Sequence, residues 1–299
     1  MKYLLPLPTF VEWREGEFKF SHPLLVADKC DMQVIAAAKT VSDFADTPAN
    51  GTVVISHGEE MSEKYTLTIN ENGVIIYGDS AAGAFYGIQT LKQLLQQGNR
   101  LPYVEIHDAP EFTYRGFYHD VSRGRIPTLE TLKKLVDKLA LYKMNSLQLY
   151  VEHTFAFREY VQANEGQEPL TAEEIRELDA YCRERFVDLV PSLSCFGHLY
   201  ALLEQDEYKH LCELENYQPT THLWWERMRH HTLDPENPDS FALVQSLIDQ
   251  YLPLFSSHYF NICCDETFDL GKGKSAGKDI GQVYTAFVSR LISYVESCG

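Results

Sequence analysis

The stretch "SSHYFNICCDETFDLGKGKS", residues 256–275, runs from an apolar, β-forming segment straight into two neighbouring acids, Asp265 and Glu266. Successive residues of a strand point to opposite faces, so a uniform strand cannot aim both carboxylates at one pocket. The pair therefore marks the place where the strand ends. In parallel α/β folds the carboxyl ends of the strands are where ligands bind and chemistry happens.

Working outward from this segment, strand and helix signals alternate from Phe112 onward. "FTYRGFYHDVS" (112–122) precedes a helix at "TLETLKKLVDKLALYK" (128–143), with Leu132, Leu135, Val136, Leu139 and Leu141 on its apolar face. The strand "NSLQLYVE" (145–152) leads to a helix near "TAEEIRELDAYCRER" (171–185), where Thr171 and Glu174 match a capping box. Next come the strand "VDLVPSLSCFG" (187–197), a long insertion, a helix beginning near Asn237-Pro238, the strand "YFNICC" (259–264) and a last helix over 281–297. Four strand-plus-helix units imply a parallel sheet.

A complete barrel of eight units takes about 250 residues, and residues 112–299 fall well short of that. No GxGxxG fingerprint follows any strand, so a nucleotide-binding open sheet is not indicated. The expected fold is α/β: the first four units of a (β/α)8 TIM-barrel type domain over 109–299, after a small α+β domain over 1–108. In the latter, "KYTLTINENGVIIYG" (64–78) reads as a hairpin turning at Asn72-Gly73, and "SAAGAFYGIQTLKQLLQQ" (80–97) as a helix capped by Ser80. A half-barrel leaves sheet edges uncovered, which predicts a homo-oligomer or a longer parent chain.

Composition narrows the partners. With a formal net charge of -17 over 299 residues, the chain is a poor match for nucleic acid or an anionic membrane surface. No run of about 18 apolar residues occurs, and the Pro-broken start makes a poor secretion signal. Seven cysteines without a CxxC pair favour reduced thiols and a cytoplasmic location. A small neutral or cationic ligand remains.

Every predicted strand end carries polar groups: Asp120, Ser122, Arg123 and Arg125; Glu152 and His153; Ser194, Cys195 and His198; Asp265 and Glu266. Crowding and burial of the last pair would hold one carboxyl protonated towards neutrality, as a general acid requires; a plain capping or salt-bridging role is the alternative. His198 is either a structural hydrogen bonder or a group that tunes the acid, with Glu152 holding its imidazole. Arg123 offers a fork of donors for vicinal hydroxyls, or simply pairs with Asp120. Without HExxH, CxxC or HxH, no metal and no other cofactor is expected, and Cys263 and Cys264 read as small core residues. His230 and His231 read as solvated, Arg125 as surface, and Tyr217, Trp224 and Trp225 as loop aromatics above the mouth.

As an ordered set, "YGIQTLKQLL", "YRGFYHDVSRGRIP", "KMNSLQLYVE", "PSLSCFGH", "LDPENPDS" and "CCDE" resemble glycoside hydrolase family 20, the β-N-acetylhexosaminidases. The resemblance spans essentially the whole chain, but only about the first two-thirds of a family catalytic unit, through strand four of eight. It implies a retaining exo-glycosidase in which the substrate's 2-acetamido oxygen attacks the anomeric carbon, an exception to the two-carboxylate scheme. It implies Glu266 as acid and base, Asp265 as orienter of the acetamido group, His198 coupled to the acid, and Arg123 on the terminal sugar, an N-acetylhexosamine. Cys263-Cys264 stands where the family carries glycines, and Glu152-His153 where it carries two aspartates, which makes Glu152 the partner of His198. The aromatic clamp of the later strands has no counterpart here. The competing readings are a non-catalytic carbohydrate-binding or assembly fragment and a metal-dependent barrel hydrolase.

Overall fold

The computed structural model describes residues 2–21, 24–27, 29–41, 51–215 and 231–298, which gather into two compact units. The first takes the chain up to Phe117 with Lys133–Ser146 and Tyr181–Val187. The second takes Tyr118–Leu132, Leu147–Ala180 and the chain from Asp188 onward. Among the described residues no helix is long and apolar enough to cross a membrane.

In the first unit β1 (Phe10–Lys19), β2 (Leu24–Ala27), β3 (Thr52–His57), β4 (Tyr65–Asn70), β5 (Gly73–Gly78) and β6 (Arg100–Asp108) form one sheet in the order β1-β6-β4-β5-β3-β2. Helices α1 (Met32–Lys39) and α2 (Ala81–Gln96) belong to the same unit. Alternation buries Tyr65, Leu67 and Ile69 of β4, and the helical period buries Phe85, Ile88, Leu91 and Leu95 of α2 in the same core. Ser80 caps α2 as expected, its Oγ accepting from the Gly83 N–H at 3.2 Å. The hairpin turn lies one residue earlier than expected: Asn70 pairs with Gly73, so Glu71 and Asn72 form the loop. Gly73 instead opens β5 at φ 130°, where an added Cβ would lie 2.2 Å from the Thr52 carbonyl oxygen of β3. Both the positive φ after the turn and the close neighbouring strand demand this glycine.

The second half of the chain alternates strand and helix: β7 (Gly116–Asp120), α3 (Leu129–Leu141), β8 (Ser146–Val151), α4 (Ala172–Arg183) and β9 (Asp188–Leu193). The three strands form an unclosed sheet in sequence order, the start of a (β/α) barrel. A four-residue helix α5 (Tyr200–Leu203), α6 (Pro238–Tyr251) and α7 (Ile280–Ser297) follow. Five of the six residues of β8 and of β9 are buried, as barrel strands covered on both faces must be. The capping box is reciprocal: Thr171 N–H donates to Glu174 Oε2 at 2.9 Å and Glu174 N–H to Thr171 Oγ1 at 3.2 Å. Asn237 caps α6 with Pro238 at its first turn.

The expected fourth strand is only partly formed. Residues 259–264 make a single parallel bridge, Asn261 to Ser192, with Asn261 N–H donating to the Pro191 carbonyl at 2.9 Å and Leu193 N–H to that of Asn261 at 3.0 Å. Cys263 then takes φ 37°, a left-handed conformation that takes the chain out of strand geometry before the acids.

Candidate active site

The expected site residues lie in the second unit, most of them around one imidazole. His198 Nδ1 stands 3.4 Å from Glu152 Oε1, while Nε2 stands 3.1 Å from Glu266 Oε2 and 3.6 Å from Asp265 Oδ2. The histidine side chain is 4% exposed, whereas Asp265 and Glu266 are 63% and 42% exposed. The expectation of a buried acid pair is therefore not met: both carboxylates stand at an open strand end over a buried base. Although Glu266 is close, Nε2 is buried and makes no hydrogen bond, so the contact is one of charge and proximity.

The backbone answers how two consecutive acids reach one histidine. Cys263, Glu266 and His198 all have positive φ (37°, 51° and 60°), three left-handed non-glycine residues around one imidazole. Such strain persists only where its surroundings over-determine it, and it concentrates at functional sites. Gly197 makes the approach possible, since an added Cβ would lie 2.6 Å from the Asp265 carbonyl oxygen. From α7, Tyr284 donates its hydroxyl to the Cys264 carbonyl at 2.9 Å, fixing the residue before the pair.

His231, expected to be solvated, is instead 1% exposed. Its Nδ1 accepts the His198 backbone N–H at 2.8 Å, and its carbonyl accepts the Leu199 N–H at 3.0 Å. The segment is irregular, as read, but it lies against the turn that carries His198. Tyr150 was also missed. Its hydroxyl donates to Glu152 Oε1 at 3.0 Å and accepts from Ser194 Oγ at 3.1 Å, and its ring meets His198 edge-on at 6.1 Å. Ser122 Oγ receives the Glu152 backbone N–H at 2.8 Å, so strand ends one, two and three share a single network.

Arg123 makes the pair with Asp120 that was one of its two readings. Its Nε donates to Asp120 Oδ2 at 2.6 Å, and the guanidinium carbon lies 5.0 Å from the Tyr150 ring centre. Asp120 engages Nε, which leaves the terminal amino groups of the fork as donors. Arg125 is exposed. His153 is half-buried, its Nδ1 4.0 Å from the other Glu152 oxygen. All seven cysteines are thiols. Cys263 and Cys264 are buried as expected, and burial pushes the Cys264 thiol up to about 12. Tyr217, Trp224, Trp225 and His230 lie outside the described residues.

The electrostatics of the imidazole agree from both sides. Burial opposes its charge, but the hydrogen bond and charge of Glu152, then the charges of Asp265 and Glu266, outweigh it and raise His198 above the ordinary 6.5. For Glu152, burial acts upward and is outweighed by His198, Tyr150 and Arg123, which hold it below the ordinary 4.5. A raised histidine contributes stability that is complete below its unfolded value and lost as pH rises through the folded one. A depressed carboxylate contributes stability that is present above its unfolded value and lost as pH falls through the folded one. Both contributions are therefore present together between about pH 4.5 and 6.5. Glu152→Gln is expected to lower the His198 midpoint, followed by imidazole NMR in chelator-treated buffer, and to flatten the pH dependence of the urea midpoint. An unmoved histidine would remove Glu152 as its partner.

This arrangement can protonate and deprotonate a group placed over Glu266 and stabilise positive charge beside Asp265. Comparisons with known proteins bear on the family. The family model for the glycosyl hydrolase family 20 catalytic domain matches residues 112–278, and that for domain 2 of the same family matches residues 2–109. A beta-hexosaminidase of Porphyromonas gingivalis is 28% identical over 88% of this chain and 38% of its own length. One of Vibrio furnissii is 24% identical over 89% of this chain and 49% of its own. A chitobiase of Flavobacterium johnsoniae superposes with a TM-score of 0.82 at 24% identity, over 98% of this chain and 51% of that one. The N-acetyl-beta-hexosaminidase of Streptomyces plicatus gives 0.78 at 22% identity, over 99% and 64%. The chain thus spans less than half the length of those two curated relatives. With both family models matched in order and together covering most of its length, the chain belongs to glycosyl hydrolase family 20.

Proposed function

We propose that the chain carries the acid and base half of a retaining exo-β-N-acetylhexosaminidase site, acting on oligosaccharides or small glycosides that end in β-linked N-acetylhexosamine. The observation that carries this reading is one buried imidazole between Glu152 at 3.4 Å and Glu266 at 3.1 Å, with Asp265 at 3.6 Å. In the first step the Glu266 carboxyl gives its proton to the glycosidic oxygen. The bond to the anomeric carbon breaks as the substrate's own acetamido oxygen closes on it, forming an oxazolinium ion. In the second step the Glu266 carboxylate takes a proton from water, which attacks the same carbon and reopens the ring with overall retention.

Asp265 orients the acetamido group and balances the charge that develops on its nitrogen. His198, held by Glu152, supplies a positive neighbour while Glu266 is ionised. Arg123, set by Asp120, binds hydroxyls of the terminal sugar. Seven thiols fit a reducing compartment. By the family resemblance, the aromatic walls of such a site lie on later strands of the barrel, in a longer chain or in an assembled partner.

Hydrolysis of a nitrophenyl β-N-acetylglucosaminide tests this, run on the 299-residue chain beside its oligomeric mass. Turnover that is blocked by an oxazoline-mimicking thiazoline and indifferent to chelator is the expected result. Turnover lost on chelation would favour a metal-dependent hydrolase. A folded chain that binds N-acetylglucosamine without turning over substrate would be a carbohydrate-binding fragment.

A further inference from the structure

We propose that His198, Asp265 and Glu266 form a three-ligand site for a zinc-type divalent transition metal, and that its occupancy switches the acid and base chemistry off. The blocking effect rests on the hydrolase reading above; the binding does not. One nitrogen and two carboxylate oxygens, His198 Nε2, Asp265 Oδ2 and Glu266 Oε2, converge with all three donor groups within 4.8 Å of one another. Tetrahedral donors at ordinary zinc distances stand about 3.3 to 3.5 Å apart. The two separations from Nε2, 3.1 and 3.6 Å, bracket that spacing.

A second observation singles out the nitrogen. His198 Nε2 is buried and makes no hydrogen bond, and it is the ring atom that faces the two acids, at 3.6 Å from Asp265 and 3.1 Å from Glu266. The opposite nitrogen already stands 3.4 Å from the Glu152 carboxylate, an arrangement that orients metal-binding histidines and makes them more basic. Tyr150 in turn fixes Glu152, so the outer support of the site is built before any ion arrives. Negative charge from Glu152, Asp265 and Glu266 suits a dication, and the exposure of both outer carboxylates opens the remaining coordination position to water.

Bound in this way, the ion occupies the Glu266 lone pair that carries the catalytic proton and the Asp265 oxygen meant for the acetamido group. Neither step of the hydrolysis then proceeds, and removing the ion with a chelator restores it. The site is thus inhibitory, in contrast to a metallohydrolase, where the ion would activate water.

The test titrates the chain with zinc ion against a chromophoric chelator and records the absorption of the cobalt(II) form. One equivalent is expected to bind, with a cobalt spectrum of nitrogen and oxygen ligation and no thiolate charge-transfer band, which separates this site from the buried Cys263 and Cys264. Asp265→Asn and Glu266→Gln are each expected to weaken zinc binding at least 10-fold, and Glu152→Gln by about 10-fold through the histidine. Binding that is absent, unchanged in these variants or thiolate in character would overturn the site. Zinc that stimulates hydrolysis would overturn the inhibitory role. Site-specific binding to a chain without turnover would leave the site standing and count against the hydrolase reading alone.

Discussion

Replacing Glu266 by Gln is expected to lower the turnover of alkyl N-acetylglucosaminides by about 10²- to 10⁴-fold, the usual contribution of a positioned general acid. The amide keeps the shape of the side chain and removes the proton, so KM should change little. Nitrophenyl glycosides, whose leaving group departs without much protonation, should lose less in the bond-breaking step. Asp265→Asn should behave differently, because stabilising the oxazolinium ion is needed whatever leaves: its loss should be similar for both substrate types. Steady-state kinetics on the two glycosides, in any preparation of the chain that turns over, separates the roles. A Glu266→Gln chain that keeps its rate on the alkyl glycoside would take the acid assignment away from Glu266.

The contrast between these acids and the rest of the site shows what a sequence can and cannot reveal. The caps at Ser80 and Thr171, and the start of a helix near Asn237-Pro238, were legible because each rests on side chain and backbone within three residues of one another. The strand and helix alternation was legible for a similar reason, since burial repeats with a period of two or 3.6. The meeting of Glu152, His198 and Asp265-Glu266 followed from a rule of architecture: strand ends of a barrel share one mouth.

What escaped depends on contacts between distant segments. His231 read as a solvated loop residue because nothing nearby in the chain signals burial, yet its ring accepts the backbone N–H of His198, 33 positions away. Tyr150 lies unremarked inside the strand "NSLQLYVE", and only the folded sheet sets its hydroxyl between Ser194 and Glu152. The fourth strand was overextended because "YFNICC" has strand-like composition, whereas Cys263 takes a left-handed conformation that no local signal announces. In each case the local preference was real and the tertiary structure overrode or reused it.

Gly197→Ala is the second large effect, and it tests whether that tertiary constraint is what holds the acids in place. The new methyl would meet the Asp265 carbonyl oxygen at 2.6 Å, a backbone atom that cannot rotate aside. Either the turn carrying His198 or the segment carrying Asp265 and Glu266 has to move, and overpacking of this kind costs about 1 to 3 kcal/mol. A displacement of about 1 Å between catalytic groups lowers turnover by roughly 10²-fold. The urea midpoint and the turnover rate should therefore both fall, and the His198 imidazole resonance should shift with them. Gly281→Ala in α7 is the control: its nearest contact is Asp279 Oδ1 at 3.4 Å, and an added methyl there should leave activity alone and stabilise the helix slightly. Should Gly197→Ala instead match the unsubstituted chain in both stability and rate, the close approach of the two turns would not be what sets the geometry of the site.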